Sequence, residues 1–400
     1  MDVESKLDML VADARFDACG YGGKRHASSS PLRFITRAAL PGGGTVCLFK
    51  VLLTNACIND CAYCVNQVGR DRPRSSFRPE DLAALFMELY NKGLAQGLFL
   101  SSGVAGNASR TMEQMLNTVE ILRHHYEFRG YVHLKVMPGA SFDCVAEACR
   151  LANRVSVNME APTPQHLARL SSKKDLYRDI LERMRWVKRV IAGNDRAAPS
   201  GQTTQFVVGA SGETDRDILH AMEMLYREMD LRRAYFSAFQ PVGDSRLEGH
   251  PPAPPMREHR LYQTDWLLRV YGFPLQEVEL ALGQGDSFSL AKEPKLVMAR
   301  RQPWRFPVDV NRASHDELLR VPGVGPRSAK RIAEARREHS IFSLGQLEKM
   351  GVRARLAAPF IRFQGISAEE RQLALLPEDG DGLAREAPPL VVPAATTRRP

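Results

Sequence analysis

The amino-acid sequence reads as an α/β protein: a partial (β/α)6, TIM-like barrel followed by a small C-terminal all-α domain. Three observations carry that reading. Six apolar, β-branched runs of strand length alternate with helical stretches between Thr45 and Phe239. Together they span about 200 residues, which fits three-quarters of a (β/α)8 barrel better than the whole of one. Between Arg300 and Phe363 lie 14 Lys/Arg against 6 Asp/Glu, a net +8 in a chain whose total is +9. The basic segment is therefore set apart from a nearly neutral remainder.

Composition removes several other classes. In 400 residues, 44% hydrophobic and 25% charged content is ordinary for a globular protein. No apolar run approaches the roughly 18–20 residues that span a bilayer. The opening MDVESKLDML has mixed charge and no apolar core of a signal peptide. A cytoplasmic protein with no membrane partner is expected. Seven cysteines, three of them within eight residues, argue against a secreted disulfide framework and for a metal site in a reducing compartment.

Residues 1–44 form an N-terminal extension, in which Asp2–Arg15 fits a short amphipathic helix and CGYGGKRHASSSP has loop composition. The barrel is placed at 45–300. Its strands are expected at Thr45–Leu53, Gly97–Ser101, Gly130–Met137, Arg154–Met159, Thr203–Val208 and Ala234–Phe239. Helices are expected at Pro79–Lys92, Arg110–Tyr126, Cys144–Ala152, Lys174–Ile191 and Thr214–Met229. Such alternation implies parallel crossovers. A doubly wound sheet is the alternative, and in either architecture ligands sit at the C-terminal strand ends. HPPAPPMREH is too proline-rich to continue a sheet and leads into a helix at His259–Tyr271. A second boundary lies near Glu293–Pro307, the helical domain at 305–365, and a Pro-, Ala- and Glu-rich tail at 368–400 lacks a core-forming pattern and is expected to be disordered.

Immediately after the first strand the chain reads TNACINDCAYCVNQ, with Cys57, Cys61 and Cys64 spaced C-x3-C-x2-C. Closed tetrahedral zinc takes four ligands, yet the next cysteine, Cys144, is 80 residues on. A zinc knuckle would need a remote fourth ligand. Iron–sulfur clusters take one thiolate per iron, so three cysteines hold three irons of a [4Fe–4S] cluster and leave the fourth open to a ligand.

This motif resembles the radical S-adenosylmethionine (SAM) superfamily. The resemblance implies a [4Fe–4S] cluster on Cys57, Cys61 and Cys64, whose open iron chelates SAM. It implies reductive cleavage to a 5′-deoxyadenosyl radical that abstracts hydrogen from a substrate, and hence an electron donor as partner. Tyr63 matches the aromatic beside the adenine. Ser101, Ser102 and Gly103 stand where the family binds the methionine amino group, with hydroxyls in place of the usual glutamate. Asn158 and Glu160, two apart and so on one side of a strand, match the ribose-binding pair. Gly209 and Gly212, in VVGASGET, match a turn placed against the adenosine, near which Glu213 is a further candidate contact. His133, Lys135 and Met137 share one strand face, on which His133 and Lys135 are candidates, Lys135 for meeting an anionic substrate or cofactor carboxylate.

In the basic segment, Pro322-Gly323-Val324-Gly325-Pro326 separates two helix patterns, the first opened by a Ser314–Glu317 capping box. The turn's N–H groups and the next helix's dipole make an anion site, beside Arg327, Lys330 and Arg331. The segment resembles the helix-hairpin-helix DNA-binding module, in which Gly323, Val324, Gly325 and these basic residues would grip phosphates without reading bases. IFSLGQLEKMGV resembles the start of a second, degenerate hairpin.

From Cys19 to Phe363 the chain as a whole is similar to the radical SAM proteins associated with DNA modification or repair. The implied function is hydrogen abstraction from a nucleotide of bound DNA. Modification of RNA bases, and a non-catalytic redox-sensing DNA-binding protein, are the alternatives. No catalytic side chain is assigned, and Cys19, Cys47, Cys144 and Cys149 read as inert thiols.

Overall fold

The structure, a computed structural model, describes residues 3–14, 35–39 and 45–367. Cys19 and the expected disordered tail lie outside the described residues. The chain divides into two compact units, Met1–Gln302 and Pro303–Pro400.

The first unit opens with helix α1 (Val3–Ala14) and strands β1 (Ile35–Ala39) and β2 (Thr45–Leu52). It continues α2 (Pro79–Asn91), β3 (Gly97–Ser101), α3 (Ala108–Glu120), β4 (Tyr131–Lys135), α4 (Phe142–Leu151), β5 (Arg154–Ser156), α5 (Pro164–Leu170), α6 (Glu182–Gly193), β6 (Gln202–Val208), α7 (Asp215–Met229) and β7 (Arg233–Ala238). Helices α8 (Pro255–Arg269), α9 (Leu275–Glu279) and α10 (Pro294–Arg300) complete it. The sheet order is β1-β2-β3-β4-β5-β6-β7, parallel throughout except for antiparallel β1 on β2. This is a curled, partial TIM barrel with six parallel strands. The doubly wound alternative is excluded, because that order would need a reversal.

Every residue of β3 and β6 is buried, as expected where helices cover one face and barrel contents the other. Phe49, Phe86, Phe99, Phe206, Phe236 and Phe239 are the bulkiest members of the core. Phe86 stacks on Phe49 of β2 at 6.4 Å, fastening α2 to the sheet, and meets Phe128 edge-on at 5.0 Å. Helix α7 starts with a complete capping box, in which Thr214 accepts from the Asp217 amide and the Asp217 carboxylate accepts from Thr214. The expected helices at 110–126 and 174–191 contain π turns at Ile121–His125 and Leu176–Leu181.

The second unit contains β8 (Val308–Asp309), α11 (His315–Arg320), α12 (Pro326–Ala335), α13 (Leu344–Lys349), α14 (Ala354–Ala357), β9 (Ile361–Phe363) and β10 (Ile366–Ser367). It is helical as expected but not purely so. A three-stranded sheet, order β10-β9-β8, brackets the helices. Strands of two or three residues are too short to announce themselves by alternation. Among the described residues, no helix is long and apolar enough to cross a membrane.

Candidate functional site

The loop from Leu53 to Arg78 follows β2 at the C-terminal rim of the sheet, where a barrel presents its ligands. Its shape is imposed by backbone bonds. Ile58 N donates to Val104 O at 2.9 Å, Ala62 N to Leu170 O at 2.9 Å, and Val68 N to Asn59 O at 2.8 Å. Arg74 donates to the carbonyls of Asn55, Asn66 and Gln67 at 2.7–3.0 Å. Arg72 bridges Asn66 and Asp13 of α1, each at 2.9 Å, and Asn55, fully buried, donates to the other Asp13 oxygen at 3.1 Å. The N-terminal helix is thereby tied to the cysteine loop, a link that no sequence spacing announces.

Cys57, Cys61 and Cys64 all line one cavity of about 250 Å³ at this rim. Backbone amides point at two of the sulfurs: Val104 N at Cys57 Sγ and Asn66 N at Cys64 Sγ, each 3.4 Å. Burial pushes the Cys61 thiol up and the Cys64 thiol up to about 12, so without metal both sit as neutral thiols. Among the described residues no three His, Cys, Asp or Glu side chains converge closely enough for a single metal ion. A four-iron cluster makes a different demand, one thiolate per iron around a body several ångströms wide.

The same cavity is lined by Tyr63, Ser101, Ser102, Gly103, Asn158 and Glu160, brought from the cysteine loop and the ends of β3 and β5. Ser101 is 1% exposed and its Oγ has no hydrogen-bond partner. A buried hydroxyl left unmet at a cavity wall is a vacancy for a polar ligand. Gly103 answers a second need. A Cβ there would lie 2.4 Å from Ala56 O and 3.3 Å from Cys57 Cβ, so only glycine lets the β3 turn meet the cysteine loop. Asn158 and Glu160 do share a side and are both buried. Glu160 takes a positive φ of 65° while its backbone bonds to Gln205 and Val207 at 2.9 and 2.8 Å.

Lys174 is the principal residue that the sequence did not reveal. Its Nζ lies 3.4 Å from Glu160 Oε1, with both side chains under 10% exposed. Burial opposes its charge, but the neighbouring Cys61 sulfur and the Glu160 carboxylate outweigh burial and hold it above the ordinary lysine range. Tyr63 is raised by burial and by Glu160, to which its hydroxyl is hydrogen-bonded. Lys135, Met137, Gln205 and Gln240 also line the cavity. Buried His133 instead meets Phe99 edge-on at 4.5 Å.

Gly209 does not line this cavity. At φ +87° its open side faces Ala253, whose Cβ would lie 2.7 Å from an added Cβ. Glu213 accepts from the Gly209 amide and from Ser211 N and Oγ at 3.1 and 2.7 Å, and so braces the glycine turn internally. Gly212, at φ +72°, faces Arg169 Nη1. Cys47, Cys144 and Cys149 are free thiols, and burial raises Cys149 to about 12.

Residues 51–225 match the radical SAM superfamily, and residues 306–350 match the helix-hairpin-helix motif. The barrel unit carries a radical SAM domain. Among its relatives is a tRNA-2-methylthio-N(6)-dimethylallyladenosine synthase of Lachnoclostridium phytofermentans, 22% identical over 206 residues, covering 49% of this chain and 41% of that protein. The enzyme of that description from Thermoanaerobacter pseudethanolicus is 22% identical over 180 residues, covering 43% and 36%. The chain thus spans about two fifths of the length of these curated relatives. Solved structures similar to it include methylornithine synthase (14% identity, TM-score 0.45, covering 55% of this chain and 60% of that one). The FeFe-hydrogenase maturase HydG from Carboxydothermus hydrogenoformans is similar at 14% identity and TM-score 0.44, covering 55% and 50%.

Radical SAM domains use a [4Fe–4S] cluster and SAM. The donor set here fits both: three thiols lining one cavity, two sulfurs already approached by amides, and the unmet Ser101 hydroxyl lining the same cavity.

In the second unit, α11 begins with the Ser314–Glu317 capping box and ends at the turn 321–325. Gly323 takes φ +84°, Val324 is buried, and Gly325 caps α12 with Pro326 at its first position. Arg327, Lys330 and Arg331 are exposed on α12. The second hairpin is α13, a turn at Gly351 with φ +86°, and the four-residue α14. Arg353 stands where the first hairpin has Gly325, and its amide donates to Gly323 O at 3.0 Å. Arg331 donates to Met350 O at 3.4 Å, so the two hairpins brace each other.

Proposed function

We propose that this chain is a radical SAM enzyme that modifies a base of a nucleic acid held by its helix-hairpin-helix unit, and that the polymer is RNA. The observation that carries it is the shared cavity of Cys57, Cys61 and Cys64 with Tyr63, Ser101, Asn158 and Glu160, in a chain that also contains the hairpin motif. The three cysteines would hold the cluster. Ser101, Ser102 and Gly103 would receive the amino end of SAM, Tyr63 would lie along its adenine, and Asn158 with Glu160 would meet its ribose. When bound, cluster and SAM supply one-electron chemistry for breaking a C–H bond. The chain's own contribution is to position the substrate, to keep water from the buried wall, and to hold the Glu160–Lys174 pair as fixed charges there.

RNA is preferred to DNA because the relatives named above are tRNA-modifying by description. DNA modification or repair is the second reading, favoured by the PGVGP turn, since backbone amides and Arg327, Lys330 and Arg331 would grip phosphates of either polymer. Anaerobic incubation of cluster-loaded protein with SAM, reductant and either RNA or DNA, followed by nucleoside mass analysis, separates them. A changed RNA nucleoside is expected. A change confined to DNA transfers the proposal to the second reading, and SAM left uncleaved with every polymer would leave a redox-sensing binding protein.

A further inference from the structure

The sheet is open: β7 and β1 are its two edges and do not pair with each other. Across that seam runs the segment 240–254, between β7 and α8. Its base is closed by Ala253 N donating to Phe239 O at 2.9 Å, which makes it a compact loop with adjacent ends. Inside it, Leu247 N donates to Ser245 Oγ at 3.1 Å and Asp244 N to Glu248 Oε2 at 3.2 Å. Four prolines among residues 251–255 stiffen the returning arm.

The tip of this loop reaches residues nearly 180 positions earlier, on the cysteine loop. Ser245 Oγ donates to Ala62 O. Gln67 Nε2 donates to Asp244 O at 3.0 Å. Arg246 lies 3.6 Å from Asp60 Oδ2. The same Asp60 oxygen accepts from Ser172 N at 3.0 Å and Ser172 Oγ at 2.6 Å, and its Oδ1 accepts from Ser171 Oγ, just beyond α5. The contacted residues, Asp60, Ala62 and Gln67, alternate with Cys61 and Cys64. The cysteine loop is thus held both by the 240–254 loop and by the segment just beyond α5.

We propose that Ser245 and Arg246 form a clasp that positions the Cys57–Cys64 loop for the cluster across the open side of the barrel, a role that rests on the cluster reading above. Neither residue lines the cavity; both act through the loop that carries the thiols. A loop freed on this flank would still supply three thiols, but with less fixed sulfur positions. Supporting partners of this kind change metal affinity by roughly tenfold or more when removed.

The test compares wild type with Ser245→Ala/Arg246→Ala, and with the conservative Arg246→Lys. Hydrogen exchange of the peptide covering residues 56–68 is measured first, without metal. The double variant is expected to exchange roughly tenfold faster there, with β3 and β6 peptides unchanged. After anaerobic reconstitution, a chelator should strip iron roughly tenfold faster from the double variant, and addition of SAM should shift its reduced-cluster resonance less than in wild type. Arg246→Lys should stay close to wild type in both. Unchanged loop exchange, or unchanged iron loss and resonance shift, overturns the clasp. Wild-type protein that takes up no iron overturns the cluster reading instead, and the metal-free exchange still decides the clasp.

Discussion

Gly103 shows how much a single missing side chain can decide. Its Cα sits against the Ala56 carbonyl, with only 2.4 Å available to a Cβ, and backbone cannot yield as a flexible side chain can. Gly103→Ala should therefore push the cysteine loop away from β3. Iron uptake on reconstitution should fall severalfold while far-UV circular dichroism stays unchanged, and full iron content would contradict the packing account. Lys174 makes the opposite case, a charge retained because it is paired. Breaking a buried pair by removing one partner costs about 3–5 kcal/mol, so Lys174→Met should lower the melting temperature of the metal-free protein clearly. Adding Glu160→Gln should recover part of that loss, because no uncompensated carboxylate is then left in the cavity. Strict additivity of the two substitutions would show that the pair is not coupled.

These residues also mark where sequence reading stops. The three cysteines and the Asn158–Glu160 pair are close in sequence, so local geometry alone brings each set together. Lys174 is 14 residues from Glu160 and meets it only because the chain returns through α5. Gly209 illustrates a different blindness. A glycine signals that something approaches closely, without saying whether the visitor is ligand or, as here, Ala253.

Among the elements, the six parallel strands are legible because continuous β-branched burial leaves an unmistakable pattern, and Gly97–Ser101 matches its expected bounds. Strand β1 is not legible. ITRAA has no alternation of its own and exists as a strand through its register with Thr45–Phe49. The seven-residue α5 escapes for a related reason, being too short for periodicity. The hairpin turn is legible, since PGVGP combines a positive φ at Gly323 with a helix start at Pro326. Gly323→Ala should cost about 1–2 kcal/mol from the left-handed backbone, and more from the Arg353 carbonyl that would lie 2.7 Å from its Cβ. Binding of a labelled oligonucleotide should weaken accordingly. Lys330→Ala, by contrast, should weaken binding to all sequences evenly and reduce the salt slope by about 1, if Lys330 holds one phosphate. A loss confined to particular sequences would argue for base reading instead.

Over the whole molecule, charge and chemistry are divided between two units. Of the +8 between Arg300 and Phe363, +6 (12 Lys/Arg against 6 Asp/Glu) falls within the unit that begins at Pro303, and the cysteine cavity lies in the other. Composition made that division visible before any contact was known, because clustered charge survives averaging over a segment. What composition could not show is how the open barrel holds its cysteine loop, which depends on contacts between residues far apart such as Ser245 with Ala62. Formation of 5′-deoxyadenosine from SAM by anaerobically reconstituted protein, with reductant and RNA, bears on both units together. The account predicts product from wild type, more of it when RNA is present, and none from Cys61→Ala. Fully iron-loaded wild type that yields no 5′-deoxyadenosine under these conditions would contradict it.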